Sequence, residues 1–406
     1  MNKKLLAFSM SVLVGAMLFT GCSKKEEKKE ATQPKQTEKK VEKTASKEIK
    51  IGVLQPLTGP IASFGQKTLD GIKLVHEKYN KLPNGDTIKL VIVDNQFDKV
   101  QTVNGYNRLA SDDKVVAIEG PLASSMSLSI KRFANETKTP TVTQIATNPR
   151  VTQGTDYITR ACFTDDFQGT VAAKYALKHN LDNAVVVFDM KQDYSVGLAK
   201  AFEKAYKNGG GKILKVLYIN SGDKDFNAQV AQIKQLNPKF IYTPIYAPEE
   251  GLFLRQLRAA GVTAPVMGGD GIADPGLLKK LAGKAANGVM YTDHFDPAKA
   301  PTPLSQQFIK DFKAKYGRLP SAFAATGADG YLLIYNAVKQ CDNDANKADL
   351  AKFKACVNNA LRHTKNLEAV TGYLTIDPKT GNPVNKPAVI EQIVDGKTQF
   401  VELIKP

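Results

Sequence analysis

From Ile49 onward, short apolar runs alternate with longer segments of helical periodicity, and this alternation constrains the fold more than any other feature. Ile49–Leu54 reads as a strand, and Gly65–Asn80 as a helix, because Leu69, Ile72, Leu74 and Val75 recur at steps of three and four. Ile88–Asp94, Val115–Glu119 and Thr141–Thr143 read as further strands, separated by helices over Val100–Ser111 and Ser124–Thr137. The pattern restarts after Asp165. Helices over Gln168–His179, Tyr194–Lys207, Phe226–Gln235 and Glu249–Ala260 alternate with strands at Ala184–Phe188, Ile213–Ile219, Phe240–Tyr242 and Pro265–Met267. Strands alternating with helices of ten or more residues form parallel sheets through right-handed crossovers. Two such series predict an α/β protein of two lobes.

The tail departs from this rhythm. Ser305–Tyr316 and Ala322–Lys339 read as helices, and Thr371–Ile376 and Ala388–Ile393 as strands with turn signals at Asp377-Pro378 and Thr380-Gly381. Ligands of open α/β sheets sit outside the carboxyl ends of the parallel strands. Two facing lobes therefore predict a cleft lined by strand-end loops.

The N-terminus carries an address. Lys3 and Lys4 precede an uncharged run from Leu5 to Phe19, followed by Thr20-Gly21-Cys22. A charged start, a short apolar core and small residues at the cut form a secretory signal over residues 1–21. The cysteine after the small pair resembles a bacterial lipobox, with Phe19 where leucine is usual, and so Cys22 is the expected lipidation site. Residues 22–48 are rich in Lys, Glu, Thr, Gln, Ser and Ala, a composition that cannot bury enough apolar surface to fold and reads as a tether. Six of the formal +16 charges come from Lys3, Lys4 and the lysine excess between Ser23 and Lys50. The rest is spread without a basic cluster interleaved with aromatics, which argues against nucleic-acid binding. Cys341 and Cys356 flank a short polar stretch and can close a disulfide in an oxidising compartment, leaving Cys162 as a lone, packed thiol.

The strand-end loops carry a resemblance. Gln55-Pro56-Leu57-Thr58-Gly59-Pro60-Ile61-Ala62-Ser63-Phe64-Gly65 resembles the first loop of the leucine/isoleucine/valine-binding protein family, type I periplasmic-type solute-binding proteins of ABC importers. Gly120–Ser125, Ala146–Pro149, Thr164–Gly169, Asp193–Gly197, Tyr246–Glu249 and Gly268–Gly271 resemble further family motifs in order. The resemblance covers the chain from about Ile49 to its end. It implies Rossmann-like lobes with parallel central sheets, joined by a hinge crossed three times, near Asp165, His294 and Leu374. Lobe 1 would then be 49–164 plus 294–374, and lobe 2 would be 165–293 plus 375–406.

It also implies a site for an α-amino acid. Ser124, at a helix start, and Thr147 would hold the carboxylate through hydroxyl and backbone N–H groups. Asp270 and the backbone carbonyl of Ile145 would accept the ammonium. The family often has glutamate at the Asp270 position, one methylene longer. Phe64, Tyr194 and Tyr246 would wall the ligand side chain, and Asp165 would bond across the closed cleft near the hinge. The implied partners are a free amino acid, foremost a branched-chain one, importer permease subunits, and the membrane through the lipid anchor. The protein is expected to be a monomer. A sensory subunit that docks on a membrane receptor would use the same cleft.

Other chemistry lacks support. Asn208–Lys212 has the wrong spacing for a phosphate loop, and Ile213 stands where Ser or Thr is needed. Asp342, Asp344 and Asn346 have calcium-loop spacing, but Lys347 and Phe353 replace the glycine and glutamate. The four histidines lie far apart, and no nucleophile elbow or dinucleotide fingerprint occurs. The expectation is a binding protein without cofactor, metal or catalytic residues.

Overall fold

The computed structural model describes residues 47–406. The expected signal over 1–21, Cys22 and the tether up to residue 46 lie outside the described residues.

The chain builds the first sheet from β1 (Glu48–Gln55), α1 (Ala62–Lys78), β2 (Thr87–Asp94), α2 (Lys99–Asn107), β3 (Ala117–Glu119), α3 (Ser124–Thr137), β4 (Thr141–Thr143) and β5 (Ile158–Arg160). Its strand order is β2-β1-β3-β4-β5, parallel throughout. β1 is covered on both faces and reads as a nearly continuous apolar run, whereas the edge strand β2 is mostly half-buried.

The second series is α4 (Asp165–Lys178), β6 (Asn183–Asp189), α5 (Asp193–Asn208), β7 (Lys212–Ile219), α6 (Asn227–Leu236), β8 (Phe240–Thr243), α7 (Ala247–Ala259), β9 (Val266–Gly268), α8 (Pro275–Ala282) and β10 (Met290–Asp293). The tail adds α9 (Pro303–Tyr316), α10 (Ala322–Cys341), α11 (Asp344–Lys347), α12 (Leu350–Arg362), β11 (Leu367–Ala369), β12 (Gly372–Leu374), β13 (Ala388–Val394) and β14 (Lys397–Ile404). The second sheet runs β14-β13-β10-β9-β8-β6-β7, and its two tail strands are antiparallel.

Phe308 and Phe312 of α9, Leu333 of α10 and Leu361 of α12 share one core with Ile51 and Val53 of β1, so the tail helices cover the first sheet. Gly71 makes this packing possible. A Cβ there would lie 1.9 Å from the Ala324 carbonyl oxygen, and only glycine lets α1 and α10 approach so closely. Cys341 and Cys356 form a disulfide that ties α10 to α12, with Cα atoms 5.8 Å apart. Within that loop Lys347 pairs with Asp86 and Asp342, so a lysine ammonium fills the calcium-like spacing.

The chain passes between the sheets three times: between β5 and α4, after β10, and before β13. The third passage lies later than Leu374. Ile376 belongs to the first core, Arg160 N donates to the Gly381 carbonyl at 2.8 Å, and Lys386 Nζ donates to the Ala161 carbonyl at 2.6 Å. Residues 375–387 thus stay on the first lobe, and the chain enters the second sheet at Ala388.

Candidate functional site

The carboxyl ends of β1, β3 and β4 face those of β6, β8 and β9, and the loops that leave them meet across the cleft. Phe64, Ser124, Ile145, Tyr194, Tyr246 and Asp270 line one cavity there, together with Leu122, Ala123, Gly271 and Phe323.

One end is built by α3. Gly120 turns the chain out of β3 at φ +112°, where a Cβ would lie 2.1 Å from the Leu54 carbonyl oxygen, so the position requires glycine. Ser124 is then the first residue of α3, and the N-cap Ala123 offers no side-chain acceptor. The first backbone bond into this helix is Ser127 N to Ala123 O, so the Ser124 and Ser125 N–H groups lack a backbone acceptor. Ser124 Oγ accepts from Asn148 N at 3.2 Å and keeps its own proton to donate. Such a helix start suits an anionic group.

The opposite end belongs to the second lobe. Asp270 follows β9, is 4 % exposed and lines the cavity. Its Oδ1 accepts from Gln168 Nε2 at 2.9 Å, and its Oδ2 lies 3.1 Å from His294 Nε2. Gly271 N donates to Tyr194 Oη at 2.9 Å, which fixes the phenol against the same turn. Burial, reinforced by Asp270, pushes the Tyr194 and Tyr246 hydroxyls well above the ordinary tyrosine range, so both stay neutral.

Between the two ends lies an aromatic box shared by the lobes. Phe64 stacks on Phe323 with centroids 4.3 Å apart, Tyr194 on Tyr246 at 5.1 Å, and Phe97 meets Tyr246 edge-on at 5.6 Å. Aromatic walls of this kind offer apolar area at small entropic cost.

Polar contacts join the rims. Asp274 Oδ2 is 2.6 Å from both Ser63 Oγ and Lys67 Nζ, which places α1 against the start of α8. Burial works to raise the Asp274 carboxyl, but Lys67 and Ser63 outweigh it and hold the group below the usual carboxylate range. Ser125 Oγ accepts from Asp193 N at 2.9 Å, and Asn148 Nδ2 donates to the Asp193 carbonyl at 2.7 Å. The lobes are closed on each other.

Thr147 and Asp165 stand outside the cavity lining. Asp165 N donates to the Thr147 carbonyl at 2.9 Å, and both side chains are fully buried. Burial drives the Asp165 carboxyl far above its usual range, with the Thr147 hydroxyl pulling the other way.

Sequence reading missed Leu122, Phe323, Gln168 and His294. Leu122 lies two residues before Ser124 and was within reach of the loop argument. Phe323 arrives from a tail helix, and Gln168 and His294 reach Asp270 from two separate crossings, so only the tertiary path brings them together. Among the described residues, no group of three or more His, Cys, Asp or Glu is arranged to hold a metal ion.

The family described as periplasmic binding protein matches residues 48–397. Leu/Ile/Val-binding protein homolog 3 of Brucella melitensis is 32 % identical over 360 residues, which span 87 % of this chain and 94 % of that protein. A leucine-binding protein, LivK, from Thermotoga maritima superposes with a TM-score of 0.83 at 35 % identity, covering 88 % of this chain and 99 % of the other. LivJ from Streptococcus pneumoniae, a branched-chain amino acid transporter substrate-binding protein in complex with isoleucine, has a TM-score of 0.81 at 28 % identity and covers 89 % and 100 %. The chain belongs to the periplasmic binding protein family, as a type I member of its leucine/isoleucine/valine-binding group.

Proposed function

We propose that the cleft captures one free α-amino acid, foremost a branched-chain one, and delivers it unchanged to an ABC importer. One observation carries this reading: the start of α3 and the Asp270 carboxylate face one cavity from opposite lobes, with an aromatic box between them. The helix start complements a carboxylate, Asp270 with the Ile145 carbonyl complements an ammonium, and the box complements an aliphatic side chain. The relatives named for leucine, isoleucine and valine support the ligand class. The same reading places the protein outside the cytoplasm, held to the membrane by lipid on Cys22, and working as a monomer beside its permease.

Calorimetric titration of the protein with each of the twenty amino acids tests the proposal. Leucine, isoleucine and valine should bind most tightly, and lysine and aspartate should give no heat. Binding of a carboxylic acid without an amine, such as benzoate, more tightly than any amino acid would contradict it.

A further inference from the structure

Both oxygens of Asp270 are engaged by neutral side chains that come from the hinge. Gln168 lies in the first turn of α4, just after the first crossing, and His294 lies just after β10, at the second. The His294 side chain is wholly buried, and its ring stacks on Phe163 with centroids 3.8 Å apart and planes at 24°. Phe163 belongs to the first crossing, so the two crossing segments clamp each other beside the Asp270 carboxylate.

The hydrogen-bond pattern fixes the chemistry of these donors. His294 Nδ1 has no partner among the described residues. A neutral imidazole with its proton on Nε2 donates to Asp270 and leaves only a lone pair unmatched at Nδ1. Burial, against the pull of Asp270, lowers the His294 pKa and keeps the ring neutral at neutral pH. Gln168 must present its NH₂ to Oδ1, since the flipped amide would set oxygen against oxygen.

Neutral donors do something that a lysine or arginine in the same place would not. They hold the carboxylate in one orientation without cancelling its charge. Each carboxylate oxygen has two acceptor sites, so one donor per oxygen leaves a site free for an incoming ammonium. We infer that His294 and Gln168 are positioning residues for ammonium recognition, aiming the short Asp270 side chain into the cleft and tying its orientation to the hinge. This inference rests on the proposed role of Asp270 as the ammonium acceptor.

The test uses the full-length protein, leucine, and 4-methyl-2-oxopentanoate, the keto acid that lacks the amine. In His294→Leu, leucine affinity should fall about tenfold, the scale of one hydrogen bond to a charged group, while keto-acid affinity stays within about twofold. His294→Gln restores an N–H donor and should bring leucine back to within about threefold of wild type. Gln168→Leu, which strips the other oxygen, should repeat the His294→Leu pattern and serves where that variant does not fold. Equal loss for leucine and keto acid in these variants, or leucine binding unchanged within about twofold, would overturn the inference and leave His294 as hinge packing. Asp270→Asn separates the two levels. If it leaves the preference for leucine over the keto acid intact, the ammonium reading itself fails; if it removes the preference and His294→Leu does not, only the positioning role fails.

Discussion

In the proposed reading Ser124 and Asp270 have opposite tasks, and substitution should distinguish them. Ser124→Ala removes a hydroxyl donor at the start of α3, and both an amino acid and its keto acid present a carboxylate there. Calorimetry should show both ligands weakened alike, by about 1 to 2 kcal/mol, or roughly five- to thirtyfold. A loss confined to the amino acid would place the carboxylate elsewhere. Cys162 has no comparable role: burial pushes its thiol up to about 12, and a thiol so protonated is a poor nucleophile. At this scale the sequence showed the residue types that a zwitterion needs. It did not show their supports, because Gln168 and His294 come from two crossings and Phe323 from a tail helix, placements that local pattern does not encode.

At the scale of elements, α1 and α8 meet only through the closed cleft, and the Lys67–Asp274 pair joins them. An ion pair formed only when the lobes close adds its free energy to ligand binding. Lys67 is 22 % exposed and Asp274 is 3 %, so solvent screens one partner, and the pair is worth about 1 kcal/mol. Lys67→Ala should therefore weaken leucine binding about fivefold without lowering the melting temperature of the ligand-free protein. The Asp274 carboxyl is held below its ordinary value of 3.8, so its contribution is complete above that value. It is lost as pH falls through the lowered one. The wild-type advantage over Lys67→Ala should accordingly be constant from pH 5 to 8 and vanish only well into acid. A difference that changes near neutrality would implicate another group.

Most elements are legible from their periodicity. So is α12, where Phe353, Val357, Ala360 and Leu361 recur at steps of three and four, although the sequence analysis does not assign it. Other unassigned elements are hidden for physical reasons. β5 is three residues long and ends in Arg160, a fully buried arginine whose guanidinium is matched by the Ala146 and Asn148 carbonyls. A charge in so short a run hides a strand. β14 is an edge strand with five of its eight residues exposed, so it lacks an apolar face to mark it. α8 and β10 are short elements of eight and four residues, and β10 carries a buried Asp293. The third crossing, which the family resemblance puts near Leu374, lies later in this chain, because Ile376 packs in the first core and that placement has no local signal.

For the molecule as a whole, the two sheets with their covering helices form two bodies joined by three segments, and the lining of the cavity is divided between them. A ligand that touches both lobes stabilises only the closed arrangement and shifts the population toward it. Small-angle scattering with saturating leucine should show a smaller radius of gyration than without it, and an identical profile would indicate a rigid pocket. Recognition of a zwitterion through Asp270 is tested by calorimetry of Asp270→Asn with leucine and with 4-methyl-2-oxopentanoate. The substitution keeps shape and removes charge, and truncating one side of a buried charged hydrogen bond costs about 2 to 5 kcal/mol, so leucine should bind at least about thirtyfold more weakly. The keto acid should bind wild type poorly and the variant no worse, so that the preference for the amino acid collapses. Leucine binding within about threefold of wild type, with the preference intact, would contradict the account and return Asp270 to the role of a turn residue held by Gln168 and His294.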